Sequence, residues 1–105
     1  MELLEKRLYY IELLRLYGEL LSYTQKAILE DYLECDLSLS EIADNRGISR
    51  AAVDDAIKKG TKKLDAYEST LQVLGKKEKI IENIQVLKEK FGNCKEIEEI
   101  EEVLK

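Results

Sequence analysis

Histidine, proline and tryptophan are absent from the 105 residues, and cysteine occurs only twice, glycine five times and phenylalanine once. Without histidine the chain lacks the usual general base near neutral pH and every Ser–His or Cys–His nucleophile. Cys35 and Cys94 are far apart, form no C-x-x-C pair and have no histidine to complete a zinc set. We therefore expect no enzyme, no cofactor and no metal, and read both thiols as reduced, small apolar side chains of the buried kind in a cytosolic protein. No apolar run approaches the roughly 20 residues that span a bilayer, and the segment from Met1 to Glu5 lacks the basic start of a signal peptide. These absences predict a cytoplasmic protein without membrane insertion.

What is present favours helix throughout. Leu, Ile, Glu and Lys dominate, hydrophobic residues make up 45% and charged residues 37% of the chain, and nothing requires a strand. The size suits one domain with a helical arm. Apolar residues at Leu4, Leu8, Ile11 and Leu14, widened by Tyr10, Leu13 and Tyr17, predict a first helix from Glu2 to Tyr17 that ends before Gly18. Ser22 and Gln25 form a capping-box pattern for a second helix reaching Leu33, and Ser38 with Glu41 form another for a short third helix ending near Arg46.

A fourth helix is predicted from Arg50, with Ser49 as its cap. Val53, Ile57, Gly60, Leu64, Tyr67, Leu71 and Leu74 recur at steps of four and three, one narrow buried face over about six turns. Gly75 is expected to interrupt it, dividing residues 1–74 from a helical extension over 75–105. In that extension Ile80, Ile84, Leu87 and Phe91 restart the period, Gly92-Asn93 closes it, and Ile97, Ile100, Val103 and Leu104 signal a last short helix.

The stretch from Leu39 to Ile57 fits the spacing of a helix-turn-helix. Ala43 is small where two helices cross, Gly47 permits the turn, and Ile48 and Val53 are expected to fill the wedge between the helices. In such a unit the second helix enters the major groove by its first turns, which aims Ser49, Arg50, Ala51, Asp54, Asp55 and Lys58 at DNA, with Lys59 and Lys62 further along the same helix. Arg50 is the first candidate, since a guanidinium can pair with guanine or hold a phosphate, and Ser49 with the helix-start N–H groups suits a phosphate oxygen. Asp54 and Asp55 oppose phosphate, although either could accept from cytosine N4.

Charge is distributed accordingly. From Arg46 to Lys63 there are Arg46, Arg50, Lys58, Lys59, Lys62 and Lys63 against Asp54 and Asp55, a net of +4 in a chain whose total is -5. A basic stripe on an acidic body predicts weak, steeply salt-dependent duplex DNA binding.

Leu20-Leu21-Ser22 with Gln25, Asp36-Leu37-Ser38-Leu39-Ser40-Glu41-Ile42-Ala43, Ile48-Ser49-Arg50 with Ala52-Val53, Asp55, Ile57-Lys58, Leu64 and Tyr67-Glu68 resemble the YlxM family over roughly residues 1–75. That resemblance implies an all-α helix-turn-helix fold similar to region 4 of bacterial sigma factors. It also implies a gene beside those of the signal recognition particle, with a role in that pathway inferred from neighbourhood. Family members usually carry Gln, a large residue and Asn where this chain has Ala51, Asp54 and Ala56, and Arg in place of Lys59, so donors are missing from the reading face.

Two functions follow. One is a DNA-binding regulator whose tail from Lys76 onward pairs protomers into a homodimer, so that two helices meet half-sites one turn apart. The other is an interaction module that touches a signal recognition particle component or its RNA and keeps the helix-turn-helix as a scaffold. The stripe beyond Leu64 serves either a dimer or packing on the first two helices. The acidic end, from Glu96 to Glu102, reads as a solvated helix face, with mimicry of nucleic acid as the sharper alternative.

Overall fold

Serine hydroxyls open three helices. Ser22 Oγ accepts from the Gln25 N–H at 3.2 Å, Ser38 Oγ from Glu41 at 3.1 Å and Ser49 Oγ from Ala52 at 3.0 Å. Each satisfies an N–H that the first turn leaves orphaned, a contribution of about 1 kcal/mol. The computed structural model describes residues 3–105, so the helix start expected at Glu2 lies outside them. Among those residues the chain forms α1 (Leu3–Tyr17), α2 (Tyr23–Leu29), α3 (Leu39–Arg46), α4 (Arg50–Leu71), α5 (Val73–Phe91) and α6 (Lys95–Val103), with no strand. The fold is all-α. No helix among the described residues is long and apolar enough to cross a membrane.

The Ser38–Glu41 box is complete, with Glu41 Oε1 accepting from the Ser38 N–H at 3.1 Å. At Ser22 only the serine half forms, because Gln25 Oε1 instead accepts from Lys63 Nζ at 3.1 Å. A long-range partner has taken the side chain that sequence spacing gave to the cap.

Two units divide the chain, one ending at Leu71 and the other running from Gln72 to Lys105. In the first, α1, α2 and α3 all pack on α4. Leu13, Ile28, Leu29, Ile42, Val53 and Leu64 are its fully buried large side chains. The stripe expected on α1 is corrected at its N-terminal end, where Leu4 is 65% and Leu8 53% exposed while Leu13, Leu14 and Tyr17 are buried. The inward face runs through Arg7, Tyr10, Leu14 and Tyr17; the last three belong to the expected stripe, while Arg7 takes the N-terminal place that apolar periodicity assigned to Leu4 and Leu8.

The polar tips of this face tie α1 down at both ends. Beyond Leu29, α2 widens into a π-turn over Glu30–Glu34, followed by Asp36 at φ 55°. Arg7 spans this region: Nη1 donates to Asp36 Oδ1 at 2.8 Å and Nη2 to the Leu33 carbonyl at 2.7 Å. A guanidinium fork suits this task, since the widened turn leaves a carbonyl and a carboxylate at different heights. At the other end Tyr17 Oη donates to Glu68 at 2.6 Å, and Tyr67 Oη donates to the Leu20 carbonyl at 3.1 Å.

Between them Tyr10 Oη donates to Asp65 Oδ2 at 2.9 Å. Burial first, then the bond to Asp65, pushes the Tyr10 phenol from 10.0 up to about 12. Below pH 10 the phenol is protonated in folded and unfolded chains alike, and its stabilisation is fully present. Between pH 10.0 and about 12 the unfolded chain loses the proton first, so stability falls as pH rises through that window. Urea midpoints should drop more steeply across it for the parent protein than for Tyr10→Phe; parallel curves would contradict the coupling.

Gly60 shows how closely α4 approaches α2. A Cβ added there would lie 2.7 Å from Leu29 Cδ1, and Leu29 is completely buried, so the leucine has no free direction to yield.

Three expectations need correction. The helix break falls at Gln72, with φ 54°, and Gly75 lies inside α5. Ile48 is 38% exposed and does not fill the wedge; Ile28 of α2 joins Ile42, Ala43 and Val53 there instead. Both cysteines are exposed, because each stands beside a helix end outside the apolar stripes: Cys35 closes the π-turn and Cys94 precedes α6 in extended conformation.

In the second unit Gly92 ends α5 at φ 78°, and Lys88 bonds Glu101 at 2.7 Å, so α6 runs back beside α5. Leu74, Ile84 and Ile97 are its buried apolar residues.

Candidate nucleic-acid interface

Gly47, at φ 66° and ψ 35°, turns the chain out of α3, and its geometry is the left-handed one that a side chain disfavours by roughly 1–2 kcal/mol. The Ile48 N–H reaches back to the Ala43 carbonyl at 3.1 Å, and two residues later α4 begins. Residues 39–57 therefore form two helices crossing at a tight turn, a helix-turn-helix. Ile42, Ala43 and Val53 lock the crossing against Ile28. That packing fixes which side of α4 faces outward.

Opposite Val53, Gly60 and Leu64, the residues Ala51, Asp55, Lys58 and Lys62 recur at steps of four, three and four, and all four are exposed. Ser49 and Arg50 are exposed at the N-terminal end, Lys59 is exposed on the flank, and Asp54 is half-buried. From Arg50 to Lys62 the face extends about 18 Å at 1.5 Å per residue. Ser49 Oγ is occupied by the Ala52 N–H, so the backbone N–H groups of Arg50 and Ala51 are the ones at the open helix start.

The electrostatics are less uniform than the sequence count implies. Lys58 pairs with Asp54 at 2.7 Å and Lys59 with Asp55 at 3.0 Å, both at i,i+4 spacing. The Asp54 bond holds the Lys58 ammonium above its ordinary pKa. Arg46 bonds Asp31 of the π-turn at 2.7 Å, and that bond likewise raises the guanidinium, so Arg46 braces α3 against the end of α2. Lys63 is engaged by Gln25. Among the described residues no bond or ion pair engages the Arg50 or Lys62 side chain, which leaves these two as the uncommitted cations of the six.

Asp31 and Gln25 are the partners that sequence reasoning missed. They lie 15 and 38 positions from Arg46 and Lys63, and no local spacing rule connects residues so far apart. The i,i+4 pairs of Asp54 and Asp55 were legible, since an acid four residues before a lysine is the favoured order on a helix.

The family profile described as "Putative helix-turn-helix protein, YlxM / p13 like" matches residues 4–103. A UPF0122 protein of Fusobacterium nucleatum is 48% identical over 79 residues, covering 75% of this chain and 77% of that protein. One from Clostridium botulinum is 42% identical over 93 residues, covering 85% of each. Another, from Clostridium acetobutylicum, is 33% identical over 109 aligned positions, spanning 97% of this chain and 94% of its own length.

Proposed function

The chain belongs to the YlxM / p13-like family of helix-turn-helix proteins, and from that premise we propose that it binds duplex DNA weakly through the first turns of α4. The observation that carries this reading is the outward exposure of Arg50 and Lys62 on a helix whose inner face is locked by Val53, Gly60 and Leu64. Ser49, the backbone at Arg50 and Ala51, and the side chains of Arg50, Lys58, Lys59 and Lys62 serve the phosphates, and Asp54 has its carboxylate tied to Lys58. Contacts of this type fix position on the duplex rather than read sequence. B-form DNA is favoured over duplex RNA because its major groove is wide enough for a helix, whereas the A-form groove is too narrow.

A homodimer would bring two α4 ends to successive turns of one duplex. A second reading makes the chain an interaction module of the signal recognition particle pathway. The specific support for it is the self-neutralised pair of ion pairs on α4, which weakens a DNA surface more than it weakens a scaffold.

Fluorescence anisotropy of a labelled duplex across salt concentrations tests the first reading. With about two to four phosphates neutralised, log K should fall against log salt with a slope of about -2 to -4. Excess duplex RNA should compete poorly. Affinity that ignores salt, or that is too weak to detect at low salt, sinks the DNA proposal and favours the scaffold.

A further inference from the structure

Residues 72–105 form a unit shorter than the roughly 40 residues below which a chain usually needs a disulfide, a metal or a partner to hold its core. This unit contains one cysteine, and its buried apolar residues are Leu74, Ile84 and Ile97. Against them stand Ile80 at 43%, Leu87 at 44% and Phe91 at 79% exposure on the same face of α5 as Ile84. Ile100 and Val103, at 41% and 82%, extend the apolar surface onto one flank of α6.

The lengths of the two helices say what covers this surface. At 1.5 Å per residue α5 is about 28 Å long and α6 about 13 Å. Because α6 returns beside the C-terminal half of α5, anchored by Lys88 and Glu101, it reaches back only to about the level of Ile84. Leu74 at the start of α5 is buried, but from Gly75 to Ile81 every residue except Lys77 is exposed, a strip of about 10 Å that α6 of the same hairpin does not cover.

Charge matches length. Lys76 and Lys79 are exposed beside the uncovered half of the α5 stripe, while α6 carries Glu96, Glu98, Glu99, Glu101 and Glu102. We propose that a second copy of this chain docks here with α5 antiparallel to α5 about a two-fold axis between Ile84 and Gln85, so that each α6 covers the half of α5 that its own hairpin leaves open. In that register Glu96 and Glu99 of one copy lie level with Lys76 and Lys79 of the other. The same patch is used twice, as a two-fold interface requires. The result is a four-helix arrangement that encloses Ile80, Leu87 and Phe91 from both chains. The pairing gives two copies a surface and an orientation whether or not α4 meets DNA.

Sedimentation equilibrium of the full chain across the micromolar range provides the test. A species of twice the 12.2 kDa chain mass is expected. Lys76→Glu with Lys79→Glu, and separately Glu96→Lys with Glu99→Lys, each place like charges opposite one another and should weaken self-association by at least about tenfold. Mixing the two variants should restore a one-to-one complex of parental strength, which a variant that merely failed to fold could not do. A monomer at every concentration overturns the proposal. So do charge-reversed variants that self-associate as well as the parent, or a mixture that does not recover.

Discussion

Leu64→Ala is expected to lower the unfolding free energy by about 3 kcal/mol, and Leu8→Ala by less than about 0.5 kcal/mol. Both are leucines in helices of the first unit, and both belong to an apolar repeat visible in the sequence. Leu64 is completely buried on α4, so truncation removes its transfer energy and leaves a cavity that neighbouring helices fill only in part. Leu8 is 53% exposed, so truncation exchanges one solvated surface for another. A helix-turn-helix unit of this size has roughly 4–10 kcal/mol of total stability, of which the Leu64 change would remove a third or more. With about 4–8 °C per kcal/mol for so small a domain, its Tm should fall by more than about 10 °C. Urea and thermal unfolding followed by circular dichroism report both quantities. Equal losses for the two variants would mean that the N-terminal half of α1 packs through Leu4 and Leu8 and not through Arg7 and Tyr10.

That contrast shows where the sequence was readable and where it was not. On α4 the inner positions are Val53, Ile57, Gly60 and Leu64, all apolar or small, and periodicity alone located the face. On α1 the guanidinium of Arg7 occupies an inward position because the π-turn offers it acceptors, and nothing in the local pattern advertises those acceptors. The turn at Gly47 and the cap at Ser49 were legible because each depends on one residue and its immediate neighbours. The break at Gln72 was not: a residue with a side chain adopts the left-handed backbone there while Gly75, the conventional punctuation, is absorbed into α5. Ile48 and Ile28 show the same limit from the other direction. Either isoleucine could have filled the wedge by size, and the choice depends on how α2 lies against α3 and α4, a three-body packing question.

The candidate site follows the same rule. Which residues face outward was readable from the helix period, but how much positive charge they offer was not, since Arg46 and Lys63 are engaged by residues on α2 and its extension. A count of six cations therefore overstates what a phosphate would meet. It is the local pairing, rather than the count, that sets the binding strength expected of this face.

The sharpest consequence is a pair of changes with opposite signs. Arg50→Glu with Lys62→Glu reverses the two of the six cations that no bond or ion pair engages among the described residues, and should weaken duplex DNA binding by about 100-fold at low salt while flattening the salt slope by about 2. Asp54→Asn with Asp55→Asn removes the carboxylates that hold Lys58 and Lys59 at 2.7 and 3.0 Å, freeing both ammonium groups for phosphate. That variant should bind about tenfold more tightly and with a steeper salt slope, because up to two further counterions are released. Losing the two i,i+4 pairs costs the helix only about 0.2–0.5 kcal/mol each, too little to unfold it, so circular dichroism should match the parent. Anisotropy titrations of the two variants beside the parent decide the matter. If neither moves the affinity, phosphates do not meet this face of α4, and its charges serve solubility and helix stability alone. If both weaken it, the aspartates themselves contact the nucleic acid, and Asp54 or Asp55 would be accepting from a base edge such as cytosine N4.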